Sequence, residues 1–264
     1  MIYRRETGRH PIEVIDHDGF RSLHFDRHSV QSRMALDDPL ALVLPYTRFL
    51  MASLLFLPSP TRALMIGLGG GSVAKYLLHH LPALGLDVVE PDPQVIWTSH
   101  EFFYLPRTER LSIHKDDGCH FIRAAQKRPA WPYDLVLIDA FDEAGMVAPV
   151  YGRSMISGCH ALLETGGVIG INLGKSNKAL RSQVLTSLDA VFPRSWLRLP
   201  VPHTRNEIAL AFGRRTGWRD LESCRRRAVS LGERMSLEWD QFVDTLIQAN
   251  KPPFWRRLWS WEGA

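Results

Sequence analysis

Residues 62–92 read RALMIGLGGGSVAKYLLHHLPALGLDVVEPD, and this stretch decides the fold. Ala63 to Leu68 is an apolar run of strand length. Gly67, Gly69, Gly70 and Gly71 follow with one interruption, and Ser72 opens a helix-like segment, SVAKYLLHH. A second apolar run, Leu86 to Val89, ends at Glu90. Strand, glycine turn, helix, strand and acid in that order are the grammar of a nucleotide-binding βαβ unit. The glycines let the backbone turn sharply and admit a ligand where Cβ atoms would stand. Glu90 lies 23 residues after Gly67, where a carboxylate can accept hydrogen bonds from two ribose hydroxyls. A tight turn that binds nothing is the competing reading of the glycines alone; the acid at the end of the next run argues against it.

Working outward, the strand–helix rhythm continues. Pro93 to Phe103 reads as a helix with Pro93 in its first turn, and Leu111 to His114 as a short strand. Asp116-Asp117-Gly118 precedes a helix to about Lys127, and DLVLI (134–138) is a strand that ends in Asp139. AFDEAGMVAP reads as a loop, Tyr151 to Leu163 as a helix, and GGVIGINL as a turn and strand. Ala179 to Val191 is helical, and two closing strands, Trp196 to Val201 and Ile208 to Phe212, flank PHTRNE. The pattern predicts an α/β fold, an open, mostly parallel seven-stranded Rossmann-like sheet.

Upstream, Ile12 to Ile15 and Arg21 to Phe25 alternate about the turn His17-Asp18-Gly19, which predicts a hairpin in a small N-terminal β-subdomain. Leu44 to Phe56 suits a buried helix, with Pro45 in its first turn. The expected organisation is an N-terminal β-subdomain and gate over 1–45, a catalytic domain over 46–213 and a helical tail over 214–264. In the tail, Arg225, Arg226 and Arg227 form a basic cluster, which reads better as a solvated helix face than as a nucleic-acid surface. Trp255, Trp259 and Trp261 offer an apolar surface for packing or for a second subunit.

Composition narrows the class. Of 264 residues 45% are hydrophobic and 23% charged, as expected of a globular protein with a sizeable core. The net charge of +4 is compatible with an anionic partner without requiring one. The three cysteines, Cys119, Cys159 and Cys224, are far apart and lack CxxC spacing, so neither a disulfide framework nor a zinc site is expected. His79-His80 lacks partners at metal-ligand spacing. The basic N-terminus is not followed by an apolar h-region, and the apolar run Ala41 to Leu57 is broken by Pro45 and Arg48. A cytoplasmic enzyme without membrane or nucleic-acid partners is the expectation.

In open α/β sheets ligands bind beyond the carboxyl ends of the strands. Glu90, Asp117, Asp139 and Asp142 all follow apolar runs and should share one rim. Glu90 suits the ribose, and Asp117, beside the Gly118 backbone, suits an adenine amino group, although Asp117 also stands where a helix N-cap would. Asp139 and Asp142 lie in one loop, where one can act as base towards an amine and the other anchor a cation. Each also fits a turn.

The order GLGGGS, VVEPD, DDG and LVLIDAFD resembles the spermidine synthase family of aminopropyltransferases, on the methyltransferase-type Rossmann fold. VQSRMALDDP…YTR, FFYLP and GGVIGINL agree with it, and the resemblance spans roughly residues 12–213. It implies decarboxylated S-adenosylmethionine as co-substrate, no tightly bound cofactor, an amine or polyamine acceptor and a homodimer. By that resemblance Asp139 is the catalytic aspartate and Asp142 the second acid of the amine site. Glu90 is the ribose ligand, and Asp117 the adenine ligand. Gln31 lies near the donor's methionine-derived tail, and Tyr46 at the amine site. Asp142 and the neighbouring Glu143 would attract the distal end of a polyamine.

The departures are specific. The family's GGGDGG carries an aspartate for the donor's amino group where this chain has Gly70. The gate's Tyr-His reads Tyr46-Thr47, and the Asp-Ser-Ser/Thr-Asp-Pro loop reads Asp139-Ala140-Phe141-Asp142-Glu143. Asp37 or Asp38, in a segment longer than the usual pattern, are the candidates to replace the missing acid. These departures keep open intact S-adenosylmethionine as donor, and with it a small-molecule methyltransferase. A non-catalytic nucleoside-binding homologue is a third reading. An NAD-dependent oxidoreductase is a weaker fourth, because the glycine fingerprint ends in Ser72.

Overall fold

A computed structural model describes residues 1–6, 11–25, 30–57, 59–127, 132–142, 145–174, 178–213 and 221–251. Glu143 and the three tail tryptophans, named above, lie outside the described residues.

The chain starts with four antiparallel strands in sequence order: β1 (Tyr3–Arg5), β2 (Ile12–His17), β3 (Phe20–His24) and β4 (Val30–Ala35). The hairpin expected around Asp18-Gly19 is the β2–β3 turn, with Asp18 and Gly19 both at positive φ. Two further strands make it a sheet, and its buried Ile12, Val14, Leu23 and Met34 join the main core. Helix α1 (Pro45–Leu50) follows, with Pro45 in its first turn, and runs into a 3₁₀ turn, Met51–Phe56, whose six residues are all buried.

The second sheet is built from β5 (Arg62–Ile66), α2 (Ser72–His80), β6 (Gly85–Val89), α3 (Pro93–Glu101), β7 (Leu111–His114), α4 (Gly118–Ala125) and β8 (Tyr133–Ile138). A short hairpin, β9 (Phe141–Asp142) and β10 (Gly145–Met146), stands where the sequence reads as a loop. Then come α5 (Arg153–Ala161), β11 (Leu163–Leu173), α6 (Lys178–Val191), β12 (Trp196–Pro200) and β13 (Glu207–Phe212). The seven long strands order as β12-β13-β11-β8-β5-β6-β7. β5, β6, β7, β8 and β11 run parallel, and β13 and β12 close the edge antiparallel. This is the α/β, methyltransferase-type fold expected, with a small antiparallel sheet before it.

Strand alternation explains the two-sided core. In β5, Ala63 and Met65 face one cluster, and Leu64 and Ile66 the other. In β8, Leu135 and Leu137 divide from Val136 and Ile138 in the same way. A parallel sheet covered on both faces must be apolar on both, which is why these strands read as continuous runs. α1, α2 and α3 pack on one face with α7 (Leu221–Gly232) and α8 (Trp239–Ala249); α4, α5 and α6 cover the other. The basic cluster of α7 is engaged locally. Arg225 pairs with Asp244 at 2.8 Å, Arg226 donates to Ser223 Oγ at 3.0 Å, and Arg227 donates to the Leu55 carbonyl.

Chain order places the site. From β5 the chain moves outward through β6 and β7, then returns to β8 on the other side of β5. That reversal leaves a crevice between the loops after β5 and β8, where open α/β sheets bind ligands.

Candidate active site

A cavity of roughly 1010 Å³ opens at the carboxyl ends of β5, β6, β8 and β11. It is at the upper end of the range for small-molecule sites, large enough for a nucleoside and a second substrate together. Gln31, Tyr46, Gly67, Gly69, Glu90, Asp117, Gly118, Asp139 and Asp142 all line it. Gly70 and Gly71 do not: they pack against Phe103 and Leu105 behind the loop.

The glycine loop is shaped by its neighbours. Gly67 is at φ +96°, and a Cβ there would lie 2.2 Å from the Asp139 carbonyl oxygen. The Asp139 amide donates to the Ile66 carbonyl at 3.0 Å, so the two loops of the crevice touch through backbone. Gly69 is at φ +54° with Ser32 Oγ in the space of its missing side chain. Gly71, at φ +74°, caps α2.

Glu90, 8% exposed, accepts from the Leu68 amide at 3.1 Å and the Asp92 amide at 3.0 Å. It braces the glycine loop from the next strand while facing the cavity. A carboxylate has about four acceptor positions, so ribose hydroxyls can share it. Asp117 N-caps α4, accepting from the His120 amide at 3.0 Å, and borders the cavity as well. Gln31 Nε2 donates to the Asp142 carbonyl at 3.4 Å, joining the N-terminal sheet to the β9–β10 hairpin. Asp38 accepts from the Leu40 amide at 3.2 Å, and neither Asp37 nor Asp38 borders the cavity.

Asp139 is the focus of the opposite end. The β8–β11 register pairs Ile138 with Ile171, which sets Asp139 beside Asn172. Asn172 Nδ2 donates to Asp139 Oδ1 at 2.9 Å, and Asn206 Nδ2 donates to Asn172 Oδ1 at 3.0 Å. The Tyr46 hydroxyl donates to Asp139 as well. Burial pushes the Asp139 carboxyl up to about 6, and the Asn172 and Tyr46 hydrogen bonds hold it from rising further. Tyr46 is driven well above the ordinary phenol range by burial and by the adjacent Asp139 charge. The phenol therefore stays protonated and acts as a donor. A carboxylate ionised near neutral pH yet close to protonation is suited to accepting a proton from a bound amine.

Nothing in the local sequence marks Asn172 and Asn206 as site residues. Their signal is position: each is a polar residue at an end of an apolar strand run, GINL and EIALAF, on the rim that carries the acids. Among the described residues no group of three or more His, Cys, Asp or Glu has the geometry to hold a metal. No helix is long and apolar enough to cross a membrane, again among the described residues.

Residues 44–207 match the spermine/spermidine synthase domain, which is most of the chain and includes every cavity residue after the N-terminal sheet. This chain belongs to the spermine/spermidine synthase family. A polyamine aminopropyltransferase of Chromobacterium violaceum is 32% identical over 241 residues, which are 91% of this chain and 90% of that protein. Among solved structures, the spermidine synthase of Thermotoga maritima aligns with a TM-score of 0.69 at 16% identity, over 97% of this chain and 86% of that one. Human methyltransferase-like protein 13, solved with SAH, aligns with a TM-score of 0.63 at 23% identity, over 80% of this chain and 95% of that one. These two structural likenesses speak to the fold alone. The chain is a transferase of the spermidine synthase-like type.

Proposed function

We propose that the chain transfers an aminopropyl group from decarboxylated S-adenosylmethionine to an amine acceptor. The carrying observation is Asp139, a half-buried carboxylate on the cavity wall with its pKa raised to about 6, oriented by Asn172 and Tyr46. Family membership supports the same reading.

On this reading the donor's ribose hydroxyls meet Glu90, its adenine lies by Asp117 and Gly118, and the backbone of Gly67 and Gly69 allows close approach. Gln31 borders the donor's tail. The acceptor amine sits on Asp139 and Tyr46, with Asp142 near its far end. An alkyl ammonium with a pKa near that of lysine is almost wholly protonated at neutral pH, and only the neutral amine is a nucleophile. Asp139 accepts the amine's proton as its lone pair attacks the methylene carbon next to sulfur. The C–N bond forms, the C–S bond breaks, and the electron pair returns to the neutral thioether of methylthioadenosine. The sulfonium is already a good leaving group, so alignment and proton removal are the protein's contributions. The protein works as three units, a gate over 1–45, the catalytic unit over 46–213 and a C-terminal tail over 214–264, and is cytoplasmic and dimeric.

One observation favours a second reading, methyl transfer from intact S-adenosylmethionine. A Cβ at Gly70 would lie 2.9 Å from Phe103 and 3.0 Å from Ser32, so an aspartate for the donor's amino group has no room there. Calorimetric titration with decarboxylated and intact S-adenosylmethionine, followed by an assay for methylthioadenosine release with a diamine, decides between them. Preference for the decarboxylated donor, with release abolished in Asp139→Asn but binding kept, is the expected result. Preference for the intact donor without methylthioadenosine release would replace it.

A further inference from the structure

We propose that Arg205 selects an acceptor amine whose distal end carries a carboxylate, with or beside an ammonium, rather than a plain diamine. The inference rests on the aminopropyl-transfer reading and names the acceptor class for it.

Arg205 is the single cationic side chain among the described residues that line the cavity, against five acids. It stands at the acceptor end. The next residue, Asn206, donates to Asn172, which donates to Asp139. Its loop is a tight connection held from within. The Val201 amide donates to the Asn206 carbonyl at 3.0 Å, Thr204 Oγ1 donates to the Val201 carbonyl at 2.9 Å, and the Asn206 amide donates to Thr204 Oγ1 at 3.1 Å. The root of the Arg205 side chain is therefore fixed relative to the proton-accepting carboxylate.

Arg205 also lacks a counter-charge of its own. The nearest acid in sequence, Glu207, is buried and already occupied by Arg181 at 3.0 Å and Arg198 at 2.7 Å. Among the described residues Arg205 has no hydrogen-bond or ion-pair partner. A guanidinium presents a planar fork of donors that matches a carboxylate with two parallel bonds. A plain diamine would bring its distal ammonium towards this cation. An amine whose far carbon bears both ammonium and carboxylate meets opposite charges instead, the ammonium on the Asp142 side and the carboxylate on the Arg205 side.

Ornithine and putrescine test this directly, because they share a carbon skeleton and differ by one carboxylate; lysine and cadaverine form a second such pair. The readout is methylthioadenosine release from decarboxylated S-adenosylmethionine, with kcat and KM determined for each acceptor. The wild-type chain is expected to favour the carboxylated member at least 10-fold in kcat/KM. Arg205→Gln should raise KM for ornithine about 10-fold, leave kcat and the donor Kd near wild type, and leave or improve putrescine. Arg205→Lys should recover part of the ornithine KM. Turnover of putrescine with no preference for ornithine, or equal losses on both acceptors in Arg205→Gln, would overturn the inference while the aminopropyl reading stands. No methylthioadenosine from any of the four amines would remove the reading and the inference with it.

Discussion

On the proposed reading, most of the donor end of the cavity is assembled from one continuous stretch, whereas the acceptor end is assembled from four distant ones. At the donor end, Gly67, Leu68, Glu90 and Asp92 lie within a single βαβ unit and interact through backbone amides. At the acceptor end, Tyr46, Asp139, Asn172 and Asn206 come from four segments and meet only through side chains. The first kind of site is set by local chain geometry. The second exists only once the sheet has brought β8, β11 and β13 abreast.

The sharpest way to break this contrast is Gly67→Ala, because Gly67 is where the two ends touch. Its Cβ would fall 2.2 Å from the Asp139 carbonyl, at a backbone φ of +96°. An atom cannot occupy that position without parting the β5 and β8 loops. The strained φ alone costs on the order of 1–3 kcal/mol, and the clash adds to it. The expected outcome is a loss of several degrees in Tm together with loss of both donor binding and turnover. A variant that lost turnover yet bound donor normally would show the two ends to be independent.

Asp139→Asn should separate the ends cleanly. Loss of the proton acceptor lowers kcat by about 10²–10⁴-fold, while donor Kd stays near wild type. Stability should move the other way. The native carboxyl titrates near 6 against an unfolded value near 3.8, so the native state binds more protons between those pH values. Wild-type stability therefore falls as pH rises through that window, and the burial cost is fully present above it. The Asn variant escapes that cost, and above pH ~6 it should be more stable by on the order of 1–3 kcal/mol, with the difference vanishing below pH ~4. Denaturant melts at several pH values would show this. In the wild type, kcat/KM should rise with pH on an acid limb near 6.

How far the sequence could be read follows from the same contrast. The sheet, its strand number and the cavity position of Gly67, Gly69 and Glu90 are legible because apolar runs, glycines and the acid after the second run sit close together along the chain, whereas Gly70 and Gly71 pack behind the loop. The position of Asp117 in the sequence fits both a ligand contact and a helix cap, and the residue is a cap that also borders the cavity. Asn172 and Asn206 are not legible in the sequence because nothing local marks them. Their role follows from the register that pairs Asn172 with Ile208 and sets Asp139 beside it. The β9–β10 hairpin reads as a loop in the sequence because two-residue strands are below what alternation can signal. β1, at three residues, is only one residue longer and is held in place by its pairing with β2.

Asn172→Ala sharpens the acceptor side with a smaller effect. It removes a bond that favours the charged form of Asp139 and leaves Asn206 Nδ2 without its partner. The acid limb of the pH–rate profile should shift upward, with kcat near pH 6.5 down roughly 3–10-fold and recovered in part at pH 8. A uniform loss at every pH would mean that Asn172 supports the loop and does not tune the carboxylate.

The smallest effect should come from Gly70→Ala, behind the donor end. Gly70 does not need glycine for its φ; what constrains it is packing. A methyl group there would crowd the Phe103 ring at 2.9 Å and Ser32 Cβ at 3.0 Å, and Ser32 Oγ accepts from the Gly70 amide at 2.7 Å. Phe103 is wholly buried, and Lys75 Nζ fixes its carbonyl at 2.6 Å, so the ring has little freedom to retreat. Overpacking of this order costs about 1–3 kcal/mol. Because the residue points away from the cavity, donor Kd and kcat should hold within about 3-fold while the denaturation midpoint falls. Phe103→Leu would cost stability by itself, but pairing it with Gly70→Ala should cost less than the two changes summed, since a smaller side chain admits the methyl. If the double variant proves additive, the methyl is accommodated elsewhere, and Phe103 is not what closes this position to a side chain.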